Sequence, residues 1–208
     1  MGLPLVADVD GVRWITIDRP EAANALRVED LDALAAAVAG IADDVRAVRL
    51  CPVPTIAMLN GACVGAAFEL SLVCDIRVAR RGVRVGLPEV LVGIPSVVDA
   101  ALLPAFVGLS RAREMILTGG LYSVDELGAA FANRIVEADQ LRAETERMLA
   151  ALTTPTREVL VAQKQLFETW LNAGHAESVQ TSIGVFADVF ETAATAEAVE
   201  AYRAGLRR

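Results

Sequence analysis

The spacing of hydrophobic and polar positions divides the chain into an alternating first part and a helical second part. Leu5–Val9 and Val12–Ile17 are β-rich runs joined by Asp10-Gly11, a strong two-residue hairpin signal, and together they predict an opening β-hairpin. Leu31, Leu34, Val38 and Ile41 recur at helical spacing and predict a helix over 28–41. Strands are expected over 45–50 and 55–59, a buried helix over 65–74, and extended chain again over 76–79. This β, α, β alternation implies parallel strands covered by helices.

One junction conflicts with that pattern. Consecutive parallel strands need a crossover of about a dozen residues or more, yet Leu50 and Thr55 are separated only by Cys51-Pro-Val-Pro54. Either the two strands form a local antiparallel pair, or a connecting segment that the architecture needs is absent between residues 50 and 51.

The second part reads differently. Ser110 is placed to cap a short helix that stops at Gly119-Gly120, and Ser123-Val-Asp-Glu126 is a capping box opening another. A short return strand is expected over 133–137, followed by helices over 139–152, 156–172, 176–192 and 196–206. In the second of these Val159, Leu160, Leu166, Phe167, Trp170 and Leu171 share a face, and in the third Val179, Ile183, Phe186 and Phe190 do. Such stripes pack against the body of a protein or against another subunit.

Composition narrows the class. With 208 residues, 54% of them hydrophobic and 22% charged, the chain can bury a sizeable core and is too apolar for disorder. A net charge of -8 disfavours nucleic acid as a partner. Residues 50–68 carry no formal charge, but Pro52, Pro54, Asn60, Gly61 and Gly65 interrupt them and Glu69 follows, so a buried strand and helix fit better than a membrane span. Met1-Gly-Leu-Pro-Leu-Val6 fits neither a secretory leader nor a myristoylation site, and a cytoplasmic location is expected.

Scarce residues remove further mechanisms. His175 is the sole histidine and sits in Asn172-Ala-Gly-His-Ala-Glu177, which reads as a solvated turn between helices and not as part of a triad. Cys51, Cys63 and Cys74 form no C-x-x-C pair, and one histidine with these three cannot build a zinc cluster. They read as buried free thiols of a reducing compartment, and no metal site is expected. Neither a P-loop nor a G-x-G-x-x-G after a strand is present. Carboxylate, tyrosine and backbone remain for proton chemistry.

Two carboxylates stand out by context. Glu69 is the lone charge in Gly65-Ala-Ala-Phe-Glu-Leu-Ser-Leu-Val-Cys74, and Glu89 is the lone charge in Val85-Gly-Leu-Pro-Glu-Val-Leu-Val-Gly-Ile-Pro95. A buried carboxylate needs a partner or takes up a raised pKa, which suits a general acid near neutral pH. The competing reading turns Glu69 to solvent by rotation of its helix, beside Asp75. Asp99, in Ser96-Val-Val-Asp99, is a third candidate, with an ordinary helix-dipole explanation for an acidic residue in a first turn.

Asp18-Arg-Pro-Glu-Ala-Ala-Asn-Ala-Leu26, Pro54-Thr-Ile-Ala-Met-Leu-Asn-Gly-Ala-Cys-Val-Gly-Ala-Ala-Phe-Glu69 with its continuation to Ala79, and Gly86-Leu-Pro-Glu-Val-Leu-Val-Gly-Ile-Pro95 resemble the enoyl-CoA hydratase/isomerase (crotonase) family. Leu117-Thr-Gly and Asn133-Arg-Ile-Val continue the match in order. The resemblance implies an α/β fold, a spiral of ββα units over 1–138, with a helical trimerisation region over 139–208 that often builds a dimer of trimers. It also implies a hydro-lyase acting on a 2-enoyl-CoA thioester in fatty-acid metabolism, with no cofactor beyond the coenzyme A of the substrate. Carried over by motif, Glu69 and Glu89 are the acid/base pair. One backbone donor to the thioester oxygen falls on Ala66, at a helix N-terminus that favours negative charge. Ala25 and Leu26 match the stretch that lies along coenzyme A.

Three departures qualify the likeness. The family's second oxyanion donor sits in a segment between the third strand and Pro-Thr-Ile-Ala, and this chain passes from Leu50 to Cys51 without it. The usual Gly-Gly-Gly reads Gly65-Ala66-Ala67, and the Gly-rich run after Gly-Ile-Pro reads Ser96-Val-Val-Asp99. An isomerase or other acyl-CoA reaction using the same enolate, and a catalytically silent acyl-CoA-binding scaffold, are the alternative readings.

Overall fold

In a computed structural model of the chain, which describes residues 5–18, 26, 28–38, 48–49 and 51–206, Asp10 and Gly11 both adopt positive φ, at 50° and 74°. That geometry matches the twist of the flanking strands, and the expected hairpin forms with Leu5 opposite Thr16 and Val9 opposite Val12. In chain order the described elements are β1 (Leu5–Val9), β2 (Val12–Thr16), α1 (Val28–Val38), β3 (Ile56–Leu59), β4 (Cys63–Val64), α2 (Ala66–Val73), β5 (Ile76–Arg80) and β6 (Arg84–Gly86). There follow α3 (Leu103–Thr118), β7 (Tyr122–Ser123), α4 (Val124–Leu127), β8 (Arg134–Val136), α5 (Leu141–Leu152), α6 (Arg157–Asn172), α7 (His175–Phe190) and α8 (Ala193–Leu206).

These residues fall into two compact units, one drawn from Met1–Cys51 and Thr55–Glu146, the other from Pro52–Pro54 and Arg147–Arg208. In the first unit β3, β5 and β8 form a parallel sheet in that order, as the alternation of strands and helices predicts. A second small sheet has β4 parallel to β6 and β7 antiparallel to it. The core between these layers contains Phe68, Leu87, Leu103, Met115, Val124 and Phe131, with the Phe68 and Phe131 rings 5.4 Å apart. Arg77 is buried, and its guanidinium donates to the carbonyls of Phe131, Ser71 and Cys74 and lies 4.4 Å from the Phe106 ring. Those bonds satisfy a charge that burial would otherwise penalise.

Several expectations are adjusted. Of the strand expected over 45–50 only Val48 and Arg49 are described, and they form a turn in which Val48 is buried beside Ile15, Leu70, Val73 and Cys74. Arg84–Gly86, for which the sequence pattern predicts no element, forms β6. Helix α3 begins at Leu103, well before Ser110, because a non-helical Gly108 (φ 76°, ψ 157°) joins two helical pieces. Its end at Gly119, in the left-handed region with its N–H donating to Met115, is as expected. The capping box is formed, with Ser123 Oγ accepting from the Glu126 amide at 3.2 Å and Glu126 Oε2 accepting from the Ser123 amide at 2.6 Å. Cys51 and Cys63 are buried free thiols as expected, whereas Cys74 is only half-buried. Burial pushes the Cys63 thiol up to about 12, which removes it as a nucleophile near neutral pH.

In the second unit, Thr156 caps α6 by accepting from the Val159 amide, and Lys164 Nζ donates to the Val53 carbonyl at 3.1 Å. The indole N–H of Trp170 donates to Ser182 Oγ at 2.9 Å, tying α6 to α7. Leu166 is buried and Val159 and Leu160 are half-buried, while Phe167, Trp170, Leu171, Val179, Ile183, Phe186 and Phe190 remain exposed. His175 opens α7 and is exposed. No described helix is long and apolar enough to cross a membrane.

Candidate active site

The parallel pairing of β4 with β6 brings Glu69 and Glu89 together. Cys63 lies opposite Val85 and Val64 opposite Gly86, so both strands point their C-terminal ends to the same edge of the sheet. The ladder extends by one further bond, from the Gly65 amide to the Gly86 carbonyl at 2.9 Å. Gly65, at φ 65° and ψ -136°, is a conformation that L side chains rarely adopt, and it turns the chain directly from β4 into α2. Glu69 thus sits one turn into α2, and Glu89 sits just beyond β6 at the start of a 3-10 turn over Glu89–Val92. Glu89 Oε1 lies 3.1 Å from where a side chain on Gly65 would begin.

The two carboxylates occupy different surroundings. Glu69 is half-buried on a helix whose neighbours Ala67, Phe68, Ser71 and Leu72 are buried. Its carboxyl is pushed up to about 7, chiefly by burial, then by the negative charges of Glu89 and Asp99, against a smaller downward pull from the amides of Asp99 and Val97. Glu89 is also half-buried, and its Oε2 accepts a hydrogen bond from Ser96 Oγ at 2.9 Å. Asp99 is in a 3-10 turn over Val98–Leu102 and pairs with Arg49 at 3.9 Å.

Ala66 is the first residue of α2. The amides of Phe68 and Glu69 close the first turn by donating to the Gly65 carbonyl at 2.8 and 3.0 Å, so the amides of Ala66 and Ala67 have no acceptor within the helix. Such an end, with its partial positive charge, favours an oxyanion. A helix terminus with amide donors, one carboxyl poised near neutrality and a second carboxylate beside it can move protons while stabilising negative charge on a carbonyl oxygen.

Glu69, Glu89 and Ala66 therefore converge on one edge of the β4–β6 pair. Leu26 is partly buried and packs against the main core, and Ala25 lies outside the described residues. Among the described residues no group of His, Cys, Asp and Glu is disposed to hold a metal ion. Two features were not evident from sequence. The bond from Ser96 to Glu89 depends on a chain reversal at Gly93, and Asp99 acts on Glu69 as well as occupying a first helical turn. The signal that could have exposed the former is a serine immediately after the Gly93-Ile-Pro95 run.

Residues 39–205 match the family model described as enoyl-CoA hydratase/isomerase. The mevalonyl-coenzyme A hydratase sidH of Aspergillus fumigatus is 38% identical over 130 residues, a stretch that is 60% of this chain and 47% of that protein, so the chain spans about half the length of that relative. Among solved structures, an enoyl-CoA hydratase from Mycobacterium smegmatis superposes with a TM-score of 0.91 at 24% identity, covering 98% of this chain and 96% of that one. Human enoyl coenzyme A hydratase domain-containing protein 3 gives 0.88 at 22% identity, covering 97% of each chain. The fold is accordingly crotonase-like, mixed α/β with a helical C-terminal region, and the chain belongs to the enoyl-CoA hydratase/isomerase family.

Proposed function

We propose that this chain hydrates the double bond of a 2-enoyl-CoA thioester. The observation that carries the reading is the pairing of Glu69, raised to about 7, with Glu89 beside the free amide end of α2. Two adjacent carboxyl groups, one of them poised near neutrality, serve both halves of the reaction. One group, as carboxylate, takes a proton from water as the water oxygen bonds to the β-carbon, and the other, as carboxylic acid, delivers its proton to the α-carbon. Negative charge passing through the thioester oxygen is met by the Ala66 N–H. Leu26, half-buried, and Ala25 beside it in sequence would lie along coenzyme A, which enters only as part of the substrate. The relative named for mevalonyl-CoA supports a coenzyme A thioester as the substrate class.

The absent segment between residues 50 and 51 leaves Ala66 as the one identified oxyanion donor. Hydration is therefore expected to be slower than with two donors by about a hundredfold or more. The exposed stripes on α6 and α7 support self-association, and the family resemblance makes a homotrimer or a dimer of trimers the expected assembly. Free thiols fit a cytoplasmic enzyme.

Loss of the conjugated thioester's ultraviolet absorbance with crotonyl-CoA tests the proposal. Activity in the wild type that disappears in Glu69→Gln and in Glu89→Gln supports it. Full activity in both variants refutes it, and double-bond migration without hydration would transfer the reading to an isomerase. Coenzyme A thioester binding with no turnover would leave a scaffold.

A further inference from the structure

The loop that carries Glu89 folds back on itself through a short series of backbone bonds. The Leu91 amide donates to the Pro88 carbonyl at 2.9 Å, the Gly93 amide to the Val90 carbonyl at 3.2 Å, and the Ile94 amide to the Glu89 carbonyl at 3.2 Å. Gly93 takes φ 81°, which reverses the chain so that Ser96 returns alongside Glu89. The Leu91 side chain lies against Gly119, close enough that a Cβ there would stand 2.7 Å from it, and this contact fixes the turn to the end of α3.

Within this loop Glu89 has few ways to be held. Val90, Leu91, Val92 and Ile94 are exposed and offer no side-chain donor. Ser96 Oγ donates to Glu89 Oε2 at 2.9 Å, and no other side-chain hydrogen bond reaches Glu89 among the described residues. The other oxygen, Oε1, lies against the backbone of Gly65. One oxygen is therefore tethered and the other is seated against the start of α2. A glutamate side chain is rotamer-rich, and a charge-assisted bond at one oxygen removes most of that freedom.

We propose that Ser96 is a positioning residue for Glu89, holding its carboxylate in the orientation that faces the start of α2. The inference rests on the hydratase reading of the Glu69–Glu89 pair. Substrate binding is not the task assigned to Ser96, so its loss acts on turnover. In Ser96→Ala the kcat for crotonyl-CoA falls about tenfold or more, the scale expected from losing a hydrogen bond to a charged group, with KM little changed. Ser96→Thr, which keeps the hydroxyl, restores most of kcat.

Kinetics and crystallography of wild type, Ser96→Ala and Ser96→Thr test this together. The expected crystallographic result is one orientation of Glu89 in wild type and Ser96→Thr, and several or a displaced one in Ser96→Ala. An unchanged kcat with Glu89 still in a single orientation in Ser96→Ala overturns the inference, as does a rise in KM with kcat unchanged. A wild type that does not hydrate crotonyl-CoA defeats the hydratase reading instead, and the orientation of Glu89 in the Ser96→Ala crystal then decides the role of Ser96 by itself.

Discussion

Helix α2 and the loop after β6 each supply one glutamate, and they surround it in opposite ways. The helix holds Glu69 within a run of buried apolar residues and raises it to about 7, with burial as the main cause. The loop holds Glu89 on a turn whose next three side chains are exposed, tethered through the Ser96 hydroxyl. In the hydration proposed above, chemically identical groups take different tasks because their surroundings differ, which is the general route by which one site runs acid and base chemistry at one pH. Adjacency of the two also contributes: the charge of Glu89 is the second cause, after burial, of the raised value at Glu69.

The contrast can be broken most severely at either carboxylate. Glu69→Gln and Glu89→Gln are each expected to lower kcat for crotonyl-CoA by about 10²- to 10⁴-fold, the usual contribution of a positioned general acid or base, while far-ultraviolet circular dichroism stays unchanged. Gly65→Ala attacks the junction between the two regions. Its φ of 65° disfavours a side chain, and the added Cβ would meet Glu89 Oε1 at 3.1 Å. Denaturant unfolding should show a loss of about 1–3 kcal/mol, with a fall in activity from the displaced Glu89.

A smaller effect concerns stability against pH. Glu69 titrates at about 7 in the folded chain against an ordinary value of 4.5. Between those two values the folded state binds more protons than the unfolded one, so the contribution of Glu69 to stability is complete below 4.5 and is lost as pH rises through about 7. Denaturant midpoints measured across this window should decline less steeply in Glu69→Gln than in wild type. An unchanged slope would mean that the Glu69 carboxyl is not the source of the decline.

The legible parts of this molecule were those where local signals agree with the fold. Asp10-Gly11 specified the hairpin, and the Ser123 and Glu126 pair specified a helix start, because each works through its own backbone neighbours. Glu69 and Glu89 were visible as isolated charges in apolar runs, which marks burial without naming a partner. Their meeting was less visible, since it depends on β4 and β6, strands of two and three residues that leave too short a pattern to read. The start of α3 was hidden by Gly108, whose non-helical backbone makes the two pieces look unrelated. Asp99 had a sufficient local explanation in its helical turn, and only the packing of α2 against that turn brings its charge to bear on Glu69. Of the apolar stripes on α6 and α7, Leu166 is buried while Phe167, Leu171, Ile183 and Phe186 remain exposed, because helical periodicity shows that a face is apolar and not what covers it.

Titration of the Glu69 side-chain carboxyl carbon by nuclear magnetic resonance, in wild type and in Glu89→Gln, tests the division between the two glutamates most directly. The expected result is a midpoint near 7 in wild type that moves down when the neighbouring charge is removed, yet stays above 4.5 because burial remains. A midpoint near 4.5 in both proteins would contradict it, since Glu69 would then be an ordinary ionised surface carboxylate with no proton to share.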